Sequence, residues 1–321
     1  MYSHPIYTAL LSEITKKCPT KYKLANQLAN VVGLSTEAVY RRLRDEIPFK
    51  FHEIAAIARY LNISLDALIG TELNKSQPFQ LKLPNFISPG EDDIIMIDTF
   101  IEFLRTLIDS GKNIEAGHVA GTLPQDIFSK YSELRDFYIY KWYYYSYPQH
   151  RRYEDMIVPD IVKKNLDKQN TMSKKYHRTS YIFDNELYNT IVDSILFFKN
   201  IRLIDDSSIA KIKVDMLESI DYLEKMSITG MFEETGKQVR IYVLNDMNHT
   251  MSFSYICTDD FKMSMIKAFF LTSVTSTNEK VFETVKEWVR SIISTSMLIT
   301  EANERQRQIY FEQQRKNVNR I

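Results

Sequence analysis

Apolar residues recur at the three- and four-residue spacing of amphipathic helices through the first part of the chain. Ser35 is a suitable N-cap for a third helix that runs to about Arg44, before Pro48 interrupts the pattern. The apolar stripes are Leu10, Leu11 and Ile14, then Leu24, Leu28, Val31 and Val32, then Ile54, Ile57, Ala58 and Leu61, and finally Leu65 and Leu68. The pattern predicts a bundle of five short helices over residues 1–73.

Helical periodicity also dominates after residues 74–90, a stretch whose three prolines indicate a linker. Amphipathic stretches predict further helices near 92–109, 125–146, 152–168, 185–199, 206–226, 279–294 and 300–318. The larger part of the chain is therefore expected to be rich in helices.

Two short runs in this larger part alternate between apolar and polar residues, as half-buried strands do. The alternating residues are Val239, Ile241 and Val243 in one run and Met251, Phe253 and Tyr255 in the other. The polar segment 245–248 between them predicts a β-hairpin, and a third strand is expected within 266–274. Residues 91–321 are thus predicted to form an α+β domain, with helices followed by a small antiparallel sheet and terminal helices.

The distribution of charge matters more here than its total. The 321 residues carry 41 basic and 41 acidic side chains, which by itself argues against a polyanionic partner. Residues 16–44, however, contain seven lysines and arginines and a single acid, Glu37. Such a local excess of positive charge predicts that an anion binds near the N-terminus.

A reducing, cytoplasmic location is expected from the cysteines and from the hydropathy of the chain. Cys18 and Cys257 lie far apart in sequence, which is unlike a secreted disulfide framework. We find no signal-peptide pattern and no apolar stretch long enough for a membrane span.

The second and third helices have the features of a helix-turn-helix. The first helix of such a motif needs a small residue where the second packs on it, and the turn favours glycine; Ala29 and Gly33 occupy these places. Leu34, Val39 and Leu43 then anchor one side of the following helix. Glu37, Tyr40, Arg41 and Arg44 form a stripe on its other side.

Residues 20–70 resemble the Cro and lambda-repressor-like (XRE-like) helix-turn-helix superfamily. The resemblance rests on Leu28-Ala29, Gly33, Ser35, Val39, Pro48 and the run from Leu61 to Leu68. Arg42 departs from the pattern, since relatives have an apolar residue there. The run from Ala38 to Arg44, with Phe49 and Phe51, also resembles uncharacterised regulators from Bacteroidetes, and the whole chain is similar to these.

The resemblance implies a helical bundle whose third helix contacts double-stranded DNA. The residues that it assigns to DNA binding are Ser35, Thr36, Glu37, Tyr40, Arg41 and Arg44. We therefore expect a transcriptional regulator, with residues 86–321 serving homodimerisation or the sensing of a small-molecule or protein effector. The alternative is an interaction module in which the bundle binds a partner protein instead of DNA.

Enzymatic chemistry is not indicated. His52-Glu53 begins like a zinc-protease motif, but Ala56 replaces the second histidine, so this segment is interpreted as helix surface. The segment 117–121 lacks the lysine of a phosphate-binding loop and is interpreted as a flexible loop between helices. We expect no enzyme, no cofactor and no metal site.

Residues 137–147 contain aromatic side chains in nearly every helical direction, so more than one face of this helix must be covered. Burial within the large domain, a dimer interface and the wall of a small-ligand pocket remain open as explanations. The basic C-terminal helix is expected to be solvated and amphipathic, with a second DNA-contacting surface as its alternative.

Overall fold

The chain forms two compact units in a computed structural model, Met1–Pro78 and Phe79–Ile321. The structure describes residues 5–16, 21–61, 63, 65, 68, 80–81, 85, 87–147, 151–244, 252–267, 271 and 273–321. Most of the predicted linker and of the predicted fifth helix lies outside these residues, as do Cys18 and the polar segment 245–248. Within the described residues, no helix has the length and apolar character needed to cross a membrane.

The first unit is a helical bundle around one small core. Its helices are α1 (Pro5–Lys16), α2 (Lys21–Val32), α3 (Thr36–Leu43) and α4 (Phe51–Leu61). The residues buried between them include Leu10, Ile14, Leu24, Leu28, Val39 and Ile57. These are the apolar stripes of the sequence, so local periodicity was sufficient to place the four helices.

The second unit contains both helices and strands. Its helices are α5 (Glu91–Asp109), α6 (Gln125–Phe128), α7 (Ser132–Ser146), α8 (Asp160–Ser173), α9 (Asn189–Asn200), α10 (Asp206–Thr229), α11 (Glu279–Thr295) and α12 (Glu304–Val318). Its strands are β1 (Gln80–Leu81), β2 (Glu115–Ala120), β3 (Arg178–Phe183), β4 (Gln238–Val243), β5 (Phe253–Cys257), β6 (Lys262–Lys267), β7 (Ser273–Ser276) and β8 (Met297–Leu298). The helix predicted at 152–168 begins eight residues later, at Asp160, and ends at Ser173.

The strands form one mixed sheet in the order β1-β7-β6-β5-β2-β3-β4-β8. β2, β3 and β4 run parallel to one another, while the remaining pairs are antiparallel. The prediction of a small antiparallel sheet was wrong, and so was the hairpin, because β4 pairs with β3 and β8 whereas β5 pairs with β2 and β6. The segment interpreted as a flexible loop, 117–121, lies mostly in β2.

Burial on both faces explains why the sequence pattern did not predict β3 as a strand. Tyr181, Ile182 and Phe183 of β3 are consecutive, yet all three are fully buried. A strand that is covered on both faces has no alternation of apolar and polar residues, and periodicity cannot distinguish it from a buried helix.

Helices cover the two faces of the sheet unequally. On one face, Val119 and Ile182 pack with Phe282 and Val289 of α11. On the other face, Tyr181 and the neighbouring strand residues belong to a much larger core shared with α6–α10 and α12. The asymmetry makes the second unit a layered α/β structure rather than a helical domain with a separate small sheet.

The aromatic segment 137–147 lies mainly in this larger core. Phe137 and Tyr140 are fully buried, and the Tyr140 ring lies edge-on to Phe198 with 5.1 Å between ring centroids. The Tyr140 hydroxyl donates a hydrogen bond to the backbone carbonyl of Arg151 at 2.9 Å. Of the three explanations for this segment, the structure supports burial, although Tyr145 remains largely exposed.

The close approach of β2 and β5 at Gly117 generates a stability prediction. A Cβ atom added at Gly117 would lie 2.8 Å from Cζ of Tyr255. We expect Gly117→Ala to lower the free energy of unfolding by about 1–3 kcal/mol, because the buried tyrosine must shift. Gly90→Ala is the control, since its Cβ would be 3.7 Å from the nearest atom. Urea titration measures both variants, and equal stabilities would contradict the prediction.

Candidate nucleic-acid interface

A glycine turn joins α2 to α3. Gly33 has a φ of +67°, a backbone conformation that L side chains rarely adopt. The Leu34 N–H donates to the Ala29 carbonyl at 3.1 Å, which closes the C-terminus of α2. Since an added Cβ at Gly33 would meet nothing within 4 Å, the backbone angle rather than crowding requires glycine here.

Polar side chains and one apolar anchor fix the start of α3. The Ser35 hydroxyl accepts a hydrogen bond from the Ala38 N–H at 3.3 Å, as an N-cap does. The Thr36 hydroxyl donates to Oδ1 of Asn26 on α2 at 3.0 Å. Val39 is fully buried in the core of the bundle. Two residues assigned to DNA binding, Ser35 and Thr36, thus also hold the helix in place.

The other four assigned residues lie together on the side of α3 away from Val39. We call this set the α3 outer face: Glu37, Tyr40, Arg41 and Arg44. Glu37, Arg41 and Arg44 are exposed, whereas Tyr40 is half-buried. The Arg44 guanidinium lies over the Tyr40 ring, 5.8 Å from its centroid. The structure therefore brings these four side chains to one accessible stripe.

Glu46, which sequence analysis did not single out, contacts both arginines of this face. Its carboxylate lies 3.3 Å from Nε of Arg41 and 3.6 Å from Nη1 of Arg44. All three side chains are more than 40% exposed, so these ion pairs are weak and easily exchanged for another anion. The only signal in the sequence is an acid just beyond the helix end, which is too common to be informative.

Arg42 has a different environment from its two neighbours. It is buried and donates two hydrogen bonds to the Glu53 carboxylate of α4, at 3.0 and 3.2 Å. Its third nitrogen donates to the Ala38 carbonyl at 3.2 Å. At this position, where the superfamily has an apolar residue, Arg42 therefore forms a buried ion pair in place of an apolar contact.

Glu53 corrects the interpretation of residues 52–56 as helix surface. His52 is exposed, but Glu53 is 3% exposed, and its carboxylate also accepts the Lys50 N–H at 2.8 Å. Burial alone would raise the pKa of Glu53, yet the Lys50 N–H and the Arg42 guanidinium outweigh it and hold that pKa below 4.5. Because the folded pKa is depressed, the stabilisation is present above about pH 4.5 and is lost as the pH falls through the folded value.

We predict that Arg42→Met lowers the stability of the first unit by about 3–5 kcal/mol, since it leaves the Glu53 carboxylate buried without its partner. The double variant Arg42→Met/Glu53→Leu should recover most of this loss, because no uncompensated charge remains. Hydrogen exchange of the Val39 amide, which is bonded to the Ser35 carbonyl, reports the opening free energy in the full chain.

Arg41→Met is the matched control for this experiment, because the neighbouring Arg41 makes only an exposed ion pair. It should change the opening free energy by less than about 0.5 kcal/mol. An Arg42→Met protein whose Val39 amide exchanges at the wild-type rate would contradict the structural role of the buried pair.

Comparison with known proteins agrees with this geometry. No curated protein matches the chain. Residues 6–102 match the model of the BetR domain, an N-terminal helix-turn-helix DNA-binding domain family. The matched region covers α1–α4 and continues into α5 of the second unit. The N-terminal part of this chain is thus similar to the BetR domain over residues 6–102.

Proposed function

We propose that this protein is a sequence-specific transcriptional regulator that binds DNA through the α3 outer face. The observation that carries the proposal is the placement of Arg41 and Arg44 on the exposed side of a helix whose opposite side is fixed by Val39 and by the Arg42–Glu53 pair. In a helix-turn-helix, the corresponding side of the second helix enters the major groove. The match of residues 6–102 to the BetR domain supports the same role.

The chemistry of the α3 outer face suits a duplex. Arginine forks donate two parallel hydrogen bonds to guanine O6 and N7 or to a phosphate. Ser35 and Thr36 lie at the N-terminus of α3, where the helix dipole favours a phosphate. Glu46 competes with DNA for Arg41 and Arg44, so DNA binding must exchange these weak ion pairs for contacts to phosphate or base.

Arg41→Ala and Arg44→Ala should each weaken binding to a selected duplex by about 1–3 kcal/mol where the arginine donates to guanine. Glu46→Gln should tighten binding by up to about fivefold, because it frees both arginines from an exposed ion pair. Fluorescence anisotropy with a duplex selected from a random pool measures these affinities, at several salt concentrations.

Arg105→Ala is the matched control, since Arg105 is also an exposed arginine in an ion pair, with Glu102 at 2.8 Å, but lies in the second unit. Its affinity and salt dependence should equal those of the wild type. A double variant lacking both arginines, folded by circular dichroism and with unchanged affinity, would show that the α3 outer face was assigned wrongly.

The second unit is proposed to pair two such DNA-binding heads. One helix-turn-helix contacts too few base pairs for selective binding in a genome, and paired heads fit half-sites about 34 Å apart. Selected duplexes should therefore contain an inverted repeat with one helical turn, or a multiple of it, between half-sites. Light scattering of the full-length protein on such a duplex should give two chains per site. A single chain bound with full affinity would contradict this arrangement.

A further inference from the structure

The second unit contains a cavity of about 300 Å³ that the DNA-binding function does not use. It lies between α5, α8 and the sheet face formed by β2, β5 and β6. None of its lining residues belongs to α7, so the aromatic segment 137–147 does not form its wall. The volume is at the lower end of the range for small-molecule sites.

The side chains that α5 contributes to the cavity are apolar, and α8 adds two apolar residues beside its polar ones. Helix α5 contributes Met96, Ile97, Phe100 and Leu104, and α8 contributes Val162 and Leu166. Such a wall favours a hydrocarbon or aromatic body over water. Measured against the share of volume that a water molecule takes in the liquid, the cavity has room for roughly ten non-hydrogen atoms.

A partly buried ammonium group, that of Lys267, lies on the sheet side of the cavity. Lys267, at the end of β6, donates a hydrogen bond from Nζ to the Thr122 hydroxyl at 3.0 Å, and both residues line the cavity. No aspartate or glutamate among the residues that the structure describes forms an ion pair with this ammonium. Desolvation, followed by the nearby positive charge of Lys141, lowers the pKa of Lys267 to about 8.

Among the described residues that line the cavity, one carries a carboxylate, Asp126, and this group has a different partner. It accepts a hydrogen bond from the Tyr181 hydroxyl. Removing a charge from water without a counter-ion is costly, and ionisable groups perturbed in this way inside a cleft concentrate where a ligand or a reaction uses them. The Lys267 ammonium therefore indicates that an anion enters the cavity from outside.

Two further polar atoms at the cavity lack a partner among the described residues. They are Nε2 of His118, whose ring stacks on Tyr181 at 5.2 Å between centroids, and Oδ1 of Asn165. Burial lowers the pKa of His118, so its imidazole is neutral at pH 7 and can donate or accept a hydrogen bond. Unsatisfied buried groups that line a cavity are a second, independent indication of a ligand.

We propose that this cavity binds a small monocarboxylate with an apolar body, its carboxylate paired with Lys267 and Thr122 and its body packed on α5. A single ammonium matches a single negative charge, whereas a dianionic phosphate would leave one negative charge uncompensated. The proposal that the ligand binds depends only on the cavity. The further proposal that the ligand regulates DNA binding rests on the proposed function.

Octanoate is the probe, because its size fits the cavity, and octan-1-ol and octylamine are its neutral and cationic counterparts. Isothermal titration of the full-length wild-type protein should show octanoate binding at least about tenfold tighter than either counterpart. Octanoate should also raise the melting temperature, since it binds the folded state. This comparison requires no variant and so does not depend on a variant's folding.

Lys267→Met tests the head-group contact. The variant should lose the preference for octanoate over octan-1-ol, and it should melt at a higher temperature without ligand, because no ammonium has to be desolvated. Lys262→Met is the matched control on the same strand: Lys262 is paired with Glu279 and Glu283 at 2.7 Å, and alternation along β6 places it on the other face. Its preference for octanoate should be unchanged.

Three results would overturn the proposal: no octanoate binding, octan-1-ol binding as tight as octanoate, or an unchanged preference in Lys267→Met. Duplex binding measured on the same samples separates the two proposals. Normal duplex binding without octanoate binding contradicts the cavity assignment alone. Octanoate binding without duplex binding contradicts the proposed function alone.

Discussion

The burial of β3 on both faces is the constraint on which the second unit depends. Its consecutive residues Tyr181, Ile182 and Phe183 point alternately to opposite faces and are all inaccessible to water. Such a strand needs neighbours on both edges and helices on both faces, and β2, β4, α11 and the larger core supply them. The cavity lies beside this centre, where α5 and α8 cover the sheet towards β5 and β6.

Two lysines of the second unit, Lys174 and Lys267, differ in the partner of their ammonium group. Lys174 is almost wholly buried, and its ammonium lies 2.8 Å from the Glu234 carboxylate. Desolvation would raise the pKa of Glu234, but hydrogen bonds, first among them that from Lys174, lower it to about 2. Lys267 has no such partner among the described residues. Its pKa is therefore lowered, which favours the neutral amine. Both ammonium groups lose hydration on folding. An ion pair with Glu234 compensates Lys174, whereas Lys267 has a hydrogen bond to the Thr122 hydroxyl.

Arg41 and Arg42 of α3 and Arg44 at its C-cap show that one residue type takes different roles according to its position around a helix. Arg41 and Arg44 are three residues apart and lie on the exposed side, whereas Arg42 is rotated towards α4 and is buried against Glu53. The buried pair holds α3 against α4, and it thereby helps to determine which side of α3 is exposed. In the absence of another anion, Arg41 and Arg44 form weak ion pairs with Glu46.

The sequence by itself determined the features that depend on neighbours within one turn of helix. Periodicity placed α1–α4, Gly33 marked the turn, and the spacing of Glu37, Tyr40, Arg41 and Arg44 predicted their shared face. Most helices of the second unit were predicted for the same reason, since the amphipathic pattern is local.

Only the tertiary structure decided the pairings between distant segments. β4 and β5 looked like a hairpin because each alternates, but their partners, β3 and β2, carry no alternation that could reveal them. The Arg42–Glu53 pair, the contacts of Glu46 and the cavity at Lys267 likewise join residues from different elements. Hydrophobic patterns record whether a residue is buried, and they do not record which distant residue it is buried against.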